Sequence, residues 1–254
     1  LWSAPFGLKL LDVVKLCKNI KVLDIGSGNG FPIIELSQRL GDTCQLFGVD
    51  PWKEAVERIE LKIKSWNIKN VEIIVGKAET LPFEDNYFDL VVSNNGTNNV
   101  ENDNKVMSEI SRVVKKDGQM VITMNLPESM LEFYNVYESV LNRKNKLNEI
   151  EKLKQHIFEK RKPIDYTKHL IENVGFRIKN IYKDSFDLRF TDGTTMLNHF
   201  LIKVGFLESW LKIVDTIDVE AVFSDIEDKL NKIAEKNGEI KLTIPWICID
   251  SEKI

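Results

Sequence analysis

Val22-Leu23-Asp24-Ile25-Gly26-Ser27-Gly28-Asn29-Gly30 decides the fold of this chain. The apolar run Ile20, Val22, Leu23 and Ile25 is too short for a helix and closes on three alternating glycines. That predicts a buried parallel strand entering a tight turn, with a helix directly after it. Glycines at such a turn let the backbone take positive φ and approach a ligand closely, while the first amides of the following helix point outward as unpaired donors. The arrangement suits a nucleotide-like or anionic ligand. Taken alone, a G-x-G-x-G run also reads as a plain strand-turn-helix whose glycines serve only the turn. The next strand weighs against that. Gln45-Leu46-Phe47-Gly48-Val49 ends in Asp50, twenty residues after Gly30, where a carboxylate at the strand tip can accept two hydrogen bonds from a ribose diol. Asp50-Pro51 is also an ordinary helix start with Asp as the N-cap, and the two roles are compatible.

Outward from this pair lie Gly76-Lys77-Ala78-Glu79-Thr80-Leu81-Pro82-Phe83 and Phe88-Asp89-Leu90-Val91-Val92-Ser93. With Asp24 to Gly30 and Gly48-Val49-Asp50 they make four motifs in order, and together they resemble the class I methyltransferases that use S-adenosylmethionine. The resemblance is strong over residues 20–125. It implies an α/β fold: a Rossmann-like, seven-stranded, mostly parallel sheet with an antiparallel edge strand, helices on both faces, and helical inserts forming a lid. It further implies that Gly26, Ser27, Gly28 and Gly30 hold the methionine side of S-adenosylmethionine, with S-adenosylhomocysteine as product. Asp24 would orient the loop or meet the amino group, Asp50 the ribose hydroxyls, and Ala78-Glu79 the adenine. Trp52, after Pro51, either covers the adenine face or is simply a large residue at a helix start. Relatives often carry Asp before Ala78 to accept from the adenine amino group. Lys77 stands there instead, which leaves that contact to another group.

With 254 residues, 43% hydrophobic and 29% charged, the chain can bury the core of one α/β domain with insertions, and residues 1–254 are read as one domain. The net charge of −4 argues against nucleic acid as a partner, because sequence-independent affinity for it comes from clustered Lys and Arg. A small-molecule substrate is favoured. Lys and Arg do concentrate between 143 and 168, but Glu149, Glu151, Glu159 and Asp165 interleave with them as on an exposed helix face. Cys17, Cys44 and Cys248 are far apart in apolar stretches and read as small core residues in a reducing compartment. No apolar run approaches the roughly 18–20 residues that cross a bilayer, and no signal-peptide pattern opens the chain. The expectation is a cytoplasmic protein with no membrane partner. The first residue is Leu1, not Met, which leaves a preceding targeting segment open.

Phe6, Leu10, Val13, Val14 and Cys17 recur at helical spacing and predict a helix over 7–18, with Trp2 and Phe6 either packed or part of a lid. A helix starting at Phe31-Pro32 should bury Ile33, Leu36 and Leu40 and end at Gly41. Another, after Trp52, should turn Val56, Ile59, Ile63 and Trp66 inward. Residues 71–75 and 88–92 are the third and fourth strands. Ser93-Asn94-Asn95-Gly96-Thr97-Asn98-Asn99 leaves the fourth, and four Asn, one Gly and one Thr in its last six positions exceed what a tight turn requires. In the resembling fold this segment lies at the cofactor's methyl group, which adds Ser93, Asn94 and Asn95 to the cofactor-binding set. A helix over 103–115 should close on Lys115-Lys116-Asp117-Gly118, followed by strand five at 119–124. Strands six and seven, at 176–190 and 239–250, form the antiparallel edge. Segments 127–162 and 191–238 are helical inserts that serve as a lid or as a homodimer surface. The stripe Leu197, Phe200, Leu201, Val204, Leu207, Leu211 and Val214, and a helix carrying Val222, Ile226, Leu230 and Ile233, suit either use.

Methyl transfer from a sulfonium, the reaction the resemblance implies, is an in-line displacement that needs alignment and a dry cavity more than a dedicated catalytic motif. A general base is required only where the acceptor holds its proton at neutral pH. Asn95, Tyr134 and His199 are the catalytic candidates, with Tyr137 and Asp192 as further polar groups of the inserts. His199 also reads as a packed, hydrogen-bonded histidine between Asn198 and Phe200. His156 and His169 lie in distant charged helices, and no His/Cys cluster has metal-ligand spacing, so no metal is expected. A nicotinamide-dependent oxidoreductase would use a similar crevice, but it wants G-x-G-x-x-G, and here the third glycine is Gly30, followed by Phe31. A catalytically silent cofactor-binding or interaction protein with the same fold is the other alternative. Lys77 is the residue that hints at it.

Overall fold

A computed structural model describes residues 2–254 apart from the side chain of Asn99. The chain falls into two compact units. The first comprises the residues up to Asn125 with Lys162–Asp184 and Trp246–Ile254, and the second comprises Leu126–Arg161 and Ser185–Pro245.

The first unit is built on strands β1 (Lys21–Ile25), β2 (Gln45–Asp50), β3 (Val71–Val75), β4 (Phe88–Asn94) and β5 (Val114–Asn125), joined late in the chain by β6 (Phe176–Phe190) and β7 (Ile240–Lys253). The sheet order is β3-β2-β1-β4-β5-β7-β6. Strands β1 to β5 pair in parallel, and β7 runs antiparallel to β5 from Gln119↔Glu252 to Asn125↔Trp246. The antiparallel strand therefore lies one place in from the edge, with β6 outside it. Val22, Leu23, Val91 and Val92 are fully buried, as continuous apolar strands covered on both faces must be. The edge strand β3 is only half-buried and leaves Val75 exposed. Chain order reverses between β1 and β4, and parallel sheets of this kind leave a crevice beyond the carboxyl ends of the strands at such a point.

Helices α1 (Ala4–Val13), α2 (Ile33–Leu40), α3 (Lys53–Ser65), α4 (Asp103–Val113) and, later, α7 (Ile164–Asn173) belong to this unit. Several boundaries differ from expectation. Pro5 sits in the first turn of α1, and the chain turns extended at Val14, so the helix covers Ala4–Val13 instead of 7–18. Cys17 then falls in the following connection and is exposed, unlike the buried Cys44 and Cys248. Pro32 precedes α2 as its N-cap, and Trp66 ends α3 as an exposed C-cap outside the inner stripe. The largest correction concerns Lys115-Lys116-Asp117-Gly118. Helix α4 ends at Val113, and these four residues lie inside β5 as a bulge: the register jumps from Phe88↔Val114 to Leu90↔Gln119, and Asp117 takes φ 61°. Buried Val114 opposite buried Phe88 starts the strand early, and the polar residues loop out of the ladder.

The second unit contains α5 (Leu131–Arg143), α6 (Leu147–Lys160), α8 (Gly193–Asn198), α9 (Phe200–Ile202), α10 (Glu208–Leu211) and α11 (Val219–Asn237), with the outer ends of β6 and β7. Phe133 stacks on Trp210 with ring centroids 4.0 Å apart, and Tyr137 donates to the Trp210 carbonyl at 2.9 Å. Val222, Ile226 and Leu230 of α11 are buried, whereas Ile233 is partly exposed and Ala234 takes the inner position. The stripe expected from 197 to 214 is not one continuous face. A π turn over Lys203–Leu207 separates α9 from α10, and Phe200 and Val204 point to solvent. Wider winding there shifts the phase of the apolar positions.

Candidate functional site

Beyond the carboxyl ends of β1, β2 and β4 lies a cavity of about 480 Å³, within the range of small-molecule sites. Its floor is Ile25, Gly26 and Gly28; one wall is Val49, Asp50, Pro51 and Trp52, and another is Gly76 to Glu79. Asn94, Asn95 and Gly96 close the β4 side, with Trp2 and Ser3 ahead of α1 and with Val100 and Glu101. Of the residues expected to bind the cofactor, Gly26, Gly28, Asp50, Pro51, Trp52, Ala78, Glu79, Asn94 and Asn95 line this space, and Asp24, Ser27, Gly30 and Ser93 do not.

Asp50 joins two elements. One carboxylate oxygen accepts from the Gly28 amide at 2.8 Å and the other from the Trp52 amide at 2.9 Å. The N-cap of α3 is Trp52, so Asp50 turns the chain ahead of the helix without being the cap residue itself. Gly26 has φ 77°, and a Cβ on it would sit 2.6 Å from the Gly96 Cα, so the glycine turn and the loop after β4 touch backbone to backbone. Only glycine meets both demands.

The residues outside the cavity hold its walls. Ser27 donates to the Asp24 carbonyl at 3.1 Å, and Ser93 donates to the Ile25 carbonyl at 2.8 Å, tying β4 to the end of β1. Gly30 packs on Ile34 of α2. Asp24 is fully buried, and neither carboxylate oxygen has a hydrogen-bond partner among the described residues. Burial pushes its carboxyl up to about 7, the charge of Asp50 adding to the rise and Ser27 opposing it.

The Asn-rich loop is a hydrogen-bonded staple. Thr123 donates to Asn94 Oδ1 at 2.8 Å, the Asn94 amide donates to the Ser3 carbonyl at 3.0 Å, and Asn98 donates to Asn125 at 2.6 Å and to Asn95 at 3.1 Å. Asn95 adopts φ 62° and buries its Nδ2 without a partner. On the opposite wall, Glu79 Oε1 accepts from the Glu101 amide at 3.0 Å, and Lys77 pairs with Glu101 at 3.0 Å. Trp52 is 68% exposed, a flat ring at the cavity rim. Arg112 fastens the connection behind this wall by donating to the Leu81 and Phe83 carbonyls at 3.0 and 2.7 Å.

Tyr134 and His199 belong to the second unit. Tyr134 is buried, and His199 is exposed with its ring 5.3 Å from that of Phe190, so the packed histidine expected there is not found. Asp192 caps α8 through the Thr195 amide at 2.6 Å. Sequence reading missed Gly96, Val100 and Glu101 as cavity residues. Of these only Gly96, a glycine two residues past the end of β4, carried a readable signal. Among the described residues no group of three or more His, Cys, Asp or Glu is placed to hold a metal ion, and no helix is long and apolar enough to cross a membrane.

Residues 16–162 match the family described as methyltransferase domain, which is more than half of the chain. A demethylmenaquinone methyltransferase of Bacillus pumilus is 33% identical over 129 residues, 51% of this chain and 55% of that protein. The chain thus spans about half the length of the curated relatives it matches. The YcgJ protein of Bacillus subtilis superposes with a TM-score of 0.59 at 18% identity, covering 98% of each chain. Geranyl diphosphate C-methyltransferase of Streptomyces coelicolor, solved with S-adenosyl-L-homocysteine, superposes with a TM-score of 0.60 at 13% identity over 99% of this chain and 79% of that one. At these identities the likeness is one of fold. The motifs, the strand order and the match over residues 16–162 agree: this chain belongs to the methyltransferase-domain family, as a class I member of the S-adenosylmethionine-dependent kind.

Proposed function

We propose that this protein binds S-adenosylmethionine in the cavity beyond β1, β2 and β4 and transfers its methyl group to a small organic acceptor in the cytoplasm. The observation that carries the reading is the meeting, at one strand-order reversal, of the glycine turn, the Asp50 carboxylate latched to Gly28, and the Asn94–Asn95 loop around one cavity. The site fits the cofactor at both ends. Each Asp50 oxygen accepts one amide and keeps a second acceptor position for ribose hydroxyls. The orphaned Asp24 carboxylate and the orphaned Asn95 Nδ2 suit an amino acid's ammonium and carboxylate.

When bound, the cofactor supplies an electrophilic methyl on a sulfonium. The chain's own part is positioning. Gly26 and Gly28 give backbone access on the methionine side, Ala78 offers backbone at the adenine edge, and Trp52 offers a flat apolar face. Asn94 and Asn95 hold the acceptor side and exclude water. Glu79 is supported as a wall element that fixes the Glu101 backbone, since its carboxylate is already engaged there.

Calorimetric titration with S-adenosylhomocysteine, with NADH in parallel, tests the reading. Micromolar binding of the former alone supports it; binding of neither moves the assignment to a silent protein of the same fold, the reading that the Lys77–Glu101 pair at the adenine side favours. The segments 127–162 and 191–238 are proposed as a lid within a single catalytic domain. Hydrogen exchange that slows in them on adding S-adenosylhomocysteine at fixed protein concentration supports the lid. Slowing only with rising protein concentration indicates a homodimer surface. The modest net charge of −4 supports a reading without nucleic acid as partner.

A further inference from the structure

The second unit buries a cation that has no counter-ion among the described residues. Arg161 follows α6 and is 3% exposed, and its Nη1 donates to the Tyr134 hydroxyl at 3.0 Å. Its Nε is sealed from solvent without an acceptor among the described residues. No carboxylate lies within ion-pair distance of the guanidinium among the described residues. Glu149, the buried acid of α6, is twelve residues earlier, about 18 Å along a helix, and is near Lys146 at 4.0 Å.

Tyr134 adds to the imbalance. Its oxygen accepts from Arg161 and also from Trp210 Nε1 at 3.1 Å, which leaves its own proton without an acceptor among the described residues. Tyr134 is 2% exposed and Trp210 fully buried. Two buried donors, Nε of Arg161 and the Tyr134 hydroxyl, thus lack an acceptor among the described residues. His156, with its ring 6.5 Å from that of Tyr134, contributes no charge at neutral pH: burial and the neighbouring Arg161 and Lys160 push it down to about 4. An arginine keeps its charge when buried, and an unpaired buried charge costs several kcal/mol. The Nε/Nη2 edge is also the side-on fork that takes a planar carboxylate through two parallel hydrogen bonds. A π turn, a winding frequent at functional sites, lies directly before the helix that carries Trp210.

We propose that Arg161, held in place by Tyr134, forms a carboxylate-recognition site of the second unit.

The test uses the full chain, with and without S-adenosylhomocysteine, titrated at constant ionic strength with benzoate and separately with inorganic phosphate. Thermal unfolding and the Trp210 indole resonance are the readouts. Benzoate should shift that resonance and raise the melting temperature of the wild type. Arg161→Met should weaken the benzoate response by about tenfold or more, the loss of a charge-assisted pair, and Tyr134→Phe by less. Without added anion Arg161→Met should be at least as stable as wild type, because the unpaired charge is gone. Arg161→Lys keeps the charge without the fork and should also lose most of the response, which covers the case of a methionine variant that does not fold. Equal responses in wild type and both Arg161 variants, or no response in the wild type, overturn the site; tighter binding of phosphate than of benzoate overturns the carboxylate assignment. Binding of S-adenosylhomocysteine without a benzoate response sinks this proposal alone, and the reverse sinks only the cofactor reading.

Discussion

The amide of Gly28 donates to Oδ2 of Asp50 at 2.8 Å, which makes the glycine turn and the tip of β2 one hydrogen-bonded unit. Asp50→Ala removes that latch together with the acceptors for a ribose. It should weaken S-adenosylhomocysteine binding by about 1.5–3 kcal/mol, the range for hydrogen bonds to a charged group. Asp50→Asn should cost less. Calorimetry decides, and unchanged affinity in the alanine variant would reduce Asp50 to a fastener of turn and helix.

Asp24 makes stability fall as pH rises. Its carboxyl, held near 7 by burial, binds a proton in the folded chain over a range where the unfolded chain has released it. Between pH 4 and 7 the folded state therefore binds more protons, and this group erodes stability at up to about 1.4 kcal/mol per pH unit. Asp24→Asn should flatten the dependence and stabilise the protein at pH 8 in urea titrations. A pH profile of stability identical to wild type would show that Asp24 is not raised.

Gly96 has no room for a side chain. A Cβ there would overlap the Ile25 carbonyl oxygen and sit 3.0 Å from the Gly26 Cα, both of them backbone atoms that cannot swing away. Gly96→Ala should destabilise by about 2–4 kcal/mol, as overpacking against an immobile wall does, and widen the glycine turn. A melting temperature within a degree of wild type would contradict this contact.

Arg112 holds the connection behind Ala78 and Glu79 through Leu81, Phe83, Asp85 and Glu109. Arg112→Met should cost about 2–3 kcal/mol of stability, since two carbonyls and a partly buried carboxylate lose a charged donor. Cofactor affinity should fall with it, through a looser Gly76–Glu79 wall. Loss of stability with full affinity would confine Arg112 to folding.

The parallel core was legible because burial on both faces leaves near-continuous apolar strands and because the turns between them demand glycine. Lys115 to Gly118 misled for a physical reason: basic residues before a glycine serve equally to cap a helix and to bulge out of a strand, and only the pairing of Val114 with Phe88 separates the two. The 197–214 stripe failed because a π turn changes the angular step that helical spacing assumes. Asp24 was legible as a residue of the strand that enters the glycine turn, but its complete burial without a partner among the described residues was not. The same holds for Arg161, Tyr134 and Trp210, far apart in sequence, whose excess of donors exists only once three segments pack.

Strand β7 has a consequence for synthesis. It fills the place beside β5, pairing from Gln119↔Glu252 to Asn125↔Trp246, although more than a hundred residues separate the partners. While the chain emerges from a ribosome, β5 presents Met120, Val121 and Ile122 along an open ladder until residues 246–253 arrive. That interval is an opportunity for another nascent chain to add its own strand. Premature termination before Trp246 should therefore yield aggregates.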